Sequence, residues 1–238
     1  MGLNPFYKKK LMAFQQQTYH SPIYRNFRAI DGSEHRRIVR FYERNEKSIL
    51  LLDFEEYFDL LVTYTKALFE ISEYRKHLLM ADVVIKTSIL QNITHVRGEE
   101  VYRSALFQKA ASHYNLNEYP NASHILGELI KMNPHDPLSI RFLGRVLRDD
   151  KPPYIRHTRA VSVFLFLMSA LMICIQVLIV KHFYVIYDPL IEISRNSIFG
   201  LGVLTLMGAE IGHRWRVHVF VRELVSSIKV KKSNSEMT

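Results

Sequence analysis

Residues 160–180 read AVSVFLFLMSALMICIQVLIV, a run without a single charge. A helix rises about 1.5 Å per residue, so about 20 apolar residues cross a hydrocarbon core about 30 Å thick. A helix that packs on a soluble core keeps a polar stripe. This run has none, and Gln176 is its only strongly polar side chain. It predicts a membrane span, bounded at 158–186.

The next signal is Asp188-Pro189, an N-cap followed by proline in the first helical turn. It predicts a second span over 188–212, with Ser197–Ala209 (SIFGLGVLTLMGA) as its apolar centre. Glu192, Arg195 and Asn196 fall near its entrance, where Glu192 and Arg195 can pair at i,i+3. Glu210 falls near the opposite boundary. It is the candidate intramembrane charge, and its plainer reading is an interfacial partner of Arg214 at i,i+4. A re-entrant segment is the alternative, but it would leave the basic tail on the far side.

Flanking charge sets the orientation. Arg156, His157 and Arg159 precede the first span, and Arg214, Arg216, Arg222, Lys229, Lys231 and Lys232 follow the second. The connection balances Lys181 and Arg195 against Asp188 and Glu192. Both termini are therefore expected to be cytoplasmic. A short turn around Tyr187-Asp188 lies outside, with Phe183, Tyr184 and Tyr187 as an interfacial belt. Gly208 and Gly212 have the spacing that lets helices approach closely, with Gly200 and Gly202 one to two turns earlier. They suit packing within the hairpin or between copies of it. Residues 213–238 read as a basic amphipathic helix and tail, irregular from Ser233. That helix either lies on an anionic surface or extends the second span to pack on the soluble domain.

The whole chain has 238 residues, 48% of them hydrophobic, and a net charge of +9. Residues 1–158 hold 23 Lys/Arg against 18 Asp/Glu, and residues 213–238 hold 6 against 2. Such an excess fits the cytoplasmic face of a membrane better than nucleic acid, because acidic residues are interspersed throughout. Binding of nucleic acid around Arg36, Arg37, Arg40 and Arg44 is the weakest reading. The single cysteine, Cys174, excludes an intramolecular disulfide and a cysteine zinc site. Lys8, Lys9 and Lys10 have no apolar run after them, so the start is not a secretory signal, and 1–30 is expected to be flexible or irregular.

Residues 31–152 form the expected cytoplasmic domain. Apolar residues recur at helical spacing through Asp31–Lys47, Leu50–Ile71, Tyr74–Ile89, Val101–Leu116, Pro120–Met132 and Leu138–Leu147, with little strand pattern. The fold class expected is all-α: helical hairpins followed by a transmembrane hairpin. Between Arg103 and Pro134 stand Ala110, Tyr114, Asn117-Glu118-Tyr119 at a turn, Ala122 and Pro134. Leu143-Gly144 follows, Gly144 lying thirty-four residues after Ala110. This pattern resembles a tetratricopeptide repeat. A weaker earlier unit covers 58–91 through Phe69, Tyr74 and Ala81. It carries His77 where a small residue is usual, and extra residues follow it from Gln91 to Gly98.

The resemblance implies a partner-binding groove lined by the first helix of each pair: Lys66, Phe69, Glu70, Phe107, Gln108, Ala111, Tyr114, Arg141 and Arg145. Lys66, Arg141 and Arg145 would hold an acidic segment or a C-terminal carboxylate. No catalytic constellation, metal motif or phosphate loop is legible, so no enzyme activity and no cofactor is expected. Asp53, Glu55, Glu56 and Asp59 read as a solvated helix face. The leading expectation is a membrane-anchored protein–protein interaction scaffold, a subunit of a larger homo- or hetero-oligomeric membrane complex. The alternative is a pore, channel or motor-like ring assembled through the hairpins.

Overall fold

A computed structural model of the chain describes residues 21–180 and 188–236. Expectations for Lys8 to Lys10 and for the belt of Phe183, Tyr184 and Tyr187 lie outside the described residues. The described fold is all-α, with one pair of two-residue strands. It divides into two compact units, 1–125 and 126–238.

The N-terminal unit begins with α1 (Pro22–Arg28), so residues 22–28 are helical where the sequence suggested irregular chain. Ser21 caps it, its hydroxyl accepting from the Tyr24 amide, and proline follows directly. The expected helix over 31–47 is split into α2 (His35–Arg44) and α3 (Glu46–Ile49) at Asn45, which breaks helical geometry. Asn45 turns its side-chain amide back to the Phe41 carbonyl. Helix α4 (Phe54–Glu70) starts later than the apolar run that announced it. Helices α5 (Tyr74–Leu90) and α6 (Val101–Asn115) then pack in succession. The core contains Phe27, Ile49, Phe58, Leu60, Leu61 and Leu68, all at most 2% exposed. Tyr42 stacks on Tyr64 at 4.0 Å within it.

The α4–α5 turn and the α6–α7 turn, where α7 is Tyr119–Met132, are built alike. Ser72 has φ +65° and Asn117 has φ +61°, left-handed positions that end a helix. The amides of Glu73 and Glu118 then close back on the carbonyls of Leu68 and His113. Phe69 meets Tyr74 edge-on at 5.8 Å, and Tyr114 meets Tyr119 edge-on at 5.8 Å. The offset is 117 − 72 = 45 residues throughout. Thr65 and His77 are as deeply buried as Ala110 and Ala122 at the same offset. Between the two turns, Asn92 (φ +52°) ends α5, and the strand pair β1 (His95–Val96) and β2 (Glu99–Glu100) follows. Arg97 and Gly98, both with positive φ, make its tight turn.

The C-terminal unit contains α8 (Pro137–Asp149), capped by Asp136 on the Leu138 amide. Helix α9 (Pro153–Ile175) runs on into a π-helical turn at Gln176–Val180. Helix α10 (Asp188–Glu236) is continuous over 49 residues. Of the two readings of the basic tail, the helix is the one that extends the second apolar stretch, and it runs through Ser233 to Glu236 where an irregular tail was expected. Nothing at Gly212 removes a backbone hydrogen bond, and a lone glycine weakens a helix by only about 1 kcal/mol. Because α10 continues past Gly212, it packs along α8, and both helices belong to the C-terminal unit.

By length and composition one described helix, Pro153–Leu178, can cross a membrane, and only 17% of its most apolar stretch is buried. The charges Glu192, Arg195 and Glu210 bracket the shorter apolar centre of α10.

Candidate functional site

Asp59 is the first departure from the sequence reading. It is not solvated but 9% exposed. Its carboxylate accepts from the Tyr24 hydroxyl at 2.6 Å and pairs with the Arg28 guanidinium. Arg97 Nε lies 3.1 Å from the other carboxylate oxygen. Glu56 accepts from the Ser21 amide at 2.9 Å. Two of the four acidic residues thus dock α1 onto α4.

The groove residues of the N-terminal unit serve mixed ends. Lys66 pairs with Glu99 on β2, and with Gln108 it lines a small cleft floored by Val62, Val84 and Val101. Phe69 packs edge-on to Tyr74 and, at 5.4 Å, to His77. Glu70 is exposed, whereas Phe107, Gln108, Ala111 and Tyr114 are half-buried on α6. Phe69 and Tyr114 therefore pack the inter-helix turns.

His77 is fully buried. Its Nδ1 lies 2.8 Å from the Ser112 hydroxyl. Burial pushes the imidazole down to about 4, against a smaller upward push from the Gln108 side chain. It stays neutral and joins α5 to α6. Sequence spacing marked His77 only as an oversized residue.

Arg141 and Arg145 lie in the C-terminal unit, on one wall of a groove between α8 and the distal half of α10. Arg148 continues that wall, while Arg214, Arg222 and Lys229 stand on the opposite one. The floor is Ile140, Val217, Val221 and Val225, all half-buried. The groove encloses about 900 Å³. The sequence did show Val217 and Val221 in an apolar stripe with Phe220, Leu224 and Ile228, with Arg and His between them. It did not show that this stripe faces α8.

In the hairpin, α9 and α10 run antiparallel. Ser162 Oγ lies 2.9 Å from Thr205 Oγ1, and Phe166 meets Phe199 at 5.4 Å. Gly202 is the glycine that permits this approach: a Cβ there would stand 2.8 Å from the Phe166 ring. A Cβ on Gly200, Gly208 or Gly212 would meet nothing within 4 Å, so these three do not pack against α9. Glu210 lies 3.2 Å from Arg159, 3.7 Å from Lys151 and 3.9 Å from Arg214. It is the centre of a charge network that includes Arg214, the partner at i,i+4. At the other end Arg195 donates to Gln176 Oε1 at 3.0 Å, and Gln176 is 5% exposed.

Among the described residues no three His, Cys, Asp or Glu side chains cluster in a way that would hold a metal ion. Comparison of the chain with family models, with curated proteins and with solved structures finds no match, so its functional reading rests on this geometry.

Proposed function

We propose that the chain is a membrane-anchored protein–protein interaction scaffold, a subunit of a larger membrane complex. In this reading its tetratricopeptide-repeat-like helices stand on the cytoplasmic side of a two-span hairpin, with both termini cytoplasmic. The observation that carries it is that the hairpin is inside out. Phe164, Leu167, Leu171, Leu204 and Met207 are all more than half exposed, while Ser162, Ser169 and Gln176 are at most 5% exposed. Water would not tolerate such a surface, whereas lipid favours it. Between the Arg159–Glu210 layer and the Gln176–Arg195 layer α9 advances 176 − 159 = 17 residues, about 26 Å, close to the thickness of a hydrocarbon core. The repeated turns at Ser72 and Asn117 support the helical-repeat reading, and the basic ends of α9 and α10 support the orientation.

The test uses sealed membranes with the cytoplasmic face outward and a Cys174→Ala background. Asn92→Cys and Ser226→Cys should both label with a large maleimide, and native Cys174 should label only after detergent. Release of the protein by alkaline carbonate would remove the anchor. Labelling at one of the two engineered positions alone would remove the hairpin topology.

A second reading, hairpins assembled into a pore or ring, is favoured by the exposed Gly208 and Gly212, which leave open an outward face. Gly202→Leu should destabilise the hairpin by about 2 kcal/mol through overpacking. Gly208→Leu should leave the thermal midpoint in detergent unchanged. Under the pore reading Gly208→Leu lowers the oligomer mass seen by native mass spectrometry. An unchanged mass would sink assembly through this face.

A further inference from the structure

The walls of the groove between α8 and α10 carry six lysine and arginine side chains, and no lining residue is acidic. Among the described residues no carboxylate pairs with Arg141, Arg145, Arg222 or Lys229, and all four are exposed. Arg214 alone reaches an acid, Glu210 at 3.9 Å. Like charges gathered without counter-charge repel, which favours an anionic occupant.

We infer that this groove takes an acidic amphipathic helix of a partner protein, laid along α10. The inference deepens the scaffold reading and rests on it for the side of the membrane on which the partner approaches. Three features select this occupant.

The first is length. The α10 wall runs from Arg214 to Lys229, 229 − 214 = 15 residues or about 22 Å, a four-turn track. A lipid headgroup would occupy about one turn of it, whereas a helix of similar length fills it.

The second is the pattern. Val217, Val221 and Val225 recur every four residues, with Ile140 opposite. A helix presenting apolar residues at i, i+4 and i+7 buries this floor. Its flanking Asp or Glu then meets Arg141 and Arg145 on one side and Arg222 and Lys229 on the other. Nucleic acid would leave the valines wet, and the groove lining offers no Phe, Tyr or Trp ring for a base to stack on, His218 being its one imidazole.

The third is Gly144. It lies inside α8, where glycine weakens a helix relative to alanine. No internal neighbour accounts for it, since a Cβ there would meet nothing within 4 Å. It leaves a notch in the groove wall through which a partner backbone or a large apolar side chain can approach.

The experiment uses the full chain in neutral detergent. The probe is a fluorescein-labelled synthetic helix with leucines at i, i+4, i+7 and i+11 flanked by glutamates, beside a scrambled peptide of the same composition. The ordered peptide should bind, more weakly as salt rises, and the scrambled peptide about tenfold more weakly, equivalent to about 1.4 kcal/mol. Gly144→Leu fills the notch and should weaken binding by about tenfold or more. Gly144→Ala controls for folding and should raise the thermal midpoint. Arg145→Glu together with Arg222→Glu should abolish binding. Equal binding of the two peptides, or binding that survives Gly144→Leu, overturns the inference. Failure of the ordered peptide to bind overturns it also. So does retention on phosphatidylserine nanodiscs that the same substitutions abolish while no peptide binds, an outcome that would assign the groove to lipid. Carbonate extraction tests the anchor separately, so failure of the groove and failure of the scaffold reading are distinguishable.

Discussion

Asp59→Ala is expected to destabilise the N-terminal unit by about 3 kcal/mol, the low end for removing one partner of a buried ion pair. The reason is what it leaves behind. Arg28 has a side chain only 20% exposed, and it loses the carboxylate that balances its charge. Tyr24 loses the acceptor 2.6 Å from its hydroxyl. Arg97 is 56% exposed and rehydrates, so it adds little. Denaturant unfolding of the full chain in detergent measures the loss. Asp59→Leu combined with Arg28→Met should recover most of it, because no buried charge is then left alone. If Asp59→Ala shifts stability by less than about 1 kcal/mol, the docking role assigned to this carboxylate is wrong.

The second large effect is a pH dependence centred on His77. Its pKa moves from 6.5 in the unfolded chain to about 4 in the fold. The displacement, at about 1.36 kcal/mol per pH unit, is about 3 kcal/mol. The sign follows from proton uptake. Below pH 6.5 the unfolded chain binds a proton that the folded imidazole refuses, so stability is present above 6.5 and lost as pH falls toward about 4. Carboxylates also titrate near the lower end, so the comparison needs a partner variant. His77→Gln can keep a hydrogen bond to Ser112 without titrating. The difference in unfolding free energy between wild type and His77→Gln should narrow steadily from pH 7 to pH 4.5. A difference independent of pH would show that His77 is not held neutral by burial.

These two residues mark where a one-dimensional reading stops. Asp59 shares a short acidic stretch with Asp53, Glu55 and Glu56, and charge runs on helices normally face water. What separates Asp59 is that α1 brings Tyr24 and Arg28 across it from 35 and 31 residues away. His77 breaks the small-residue pattern, and only the position of Ser112 makes its imidazole a bridge between helices. In the proposed docking groove, Arg141 and Arg145 were named only through the resemblance to a tetratricopeptide repeat, as part of a groove that did not include α10. Arg222, Lys229, Val217 and Val221 were legible only as part of a separate basic amphipathic helix, and Val225 was not singled out. Their meeting depends on α10 running unbroken past Gly212, and helix continuity through one glycine is a near-balance of about 1 kcal/mol that packing along α8 decides. Gly202 was one of four glycines named for helix packing, outside the Gly208–Gly212 pair that has the close-packing spacing, and the rotation of α10 against α9 singled it out.

Taken alone, the order of residues determined the all-α class, most helix positions and the one unmistakably apolar helix, because these follow from periodicity and local propensity, which act within a few turns of chain. Tertiary structure decided which polar groups are buried together, which glycine bears a contact and which two basic faces form one groove. Those outcomes depend on the pairing of segments tens of residues apart, and helical spacing fixes what lies on a face but not what that face meets.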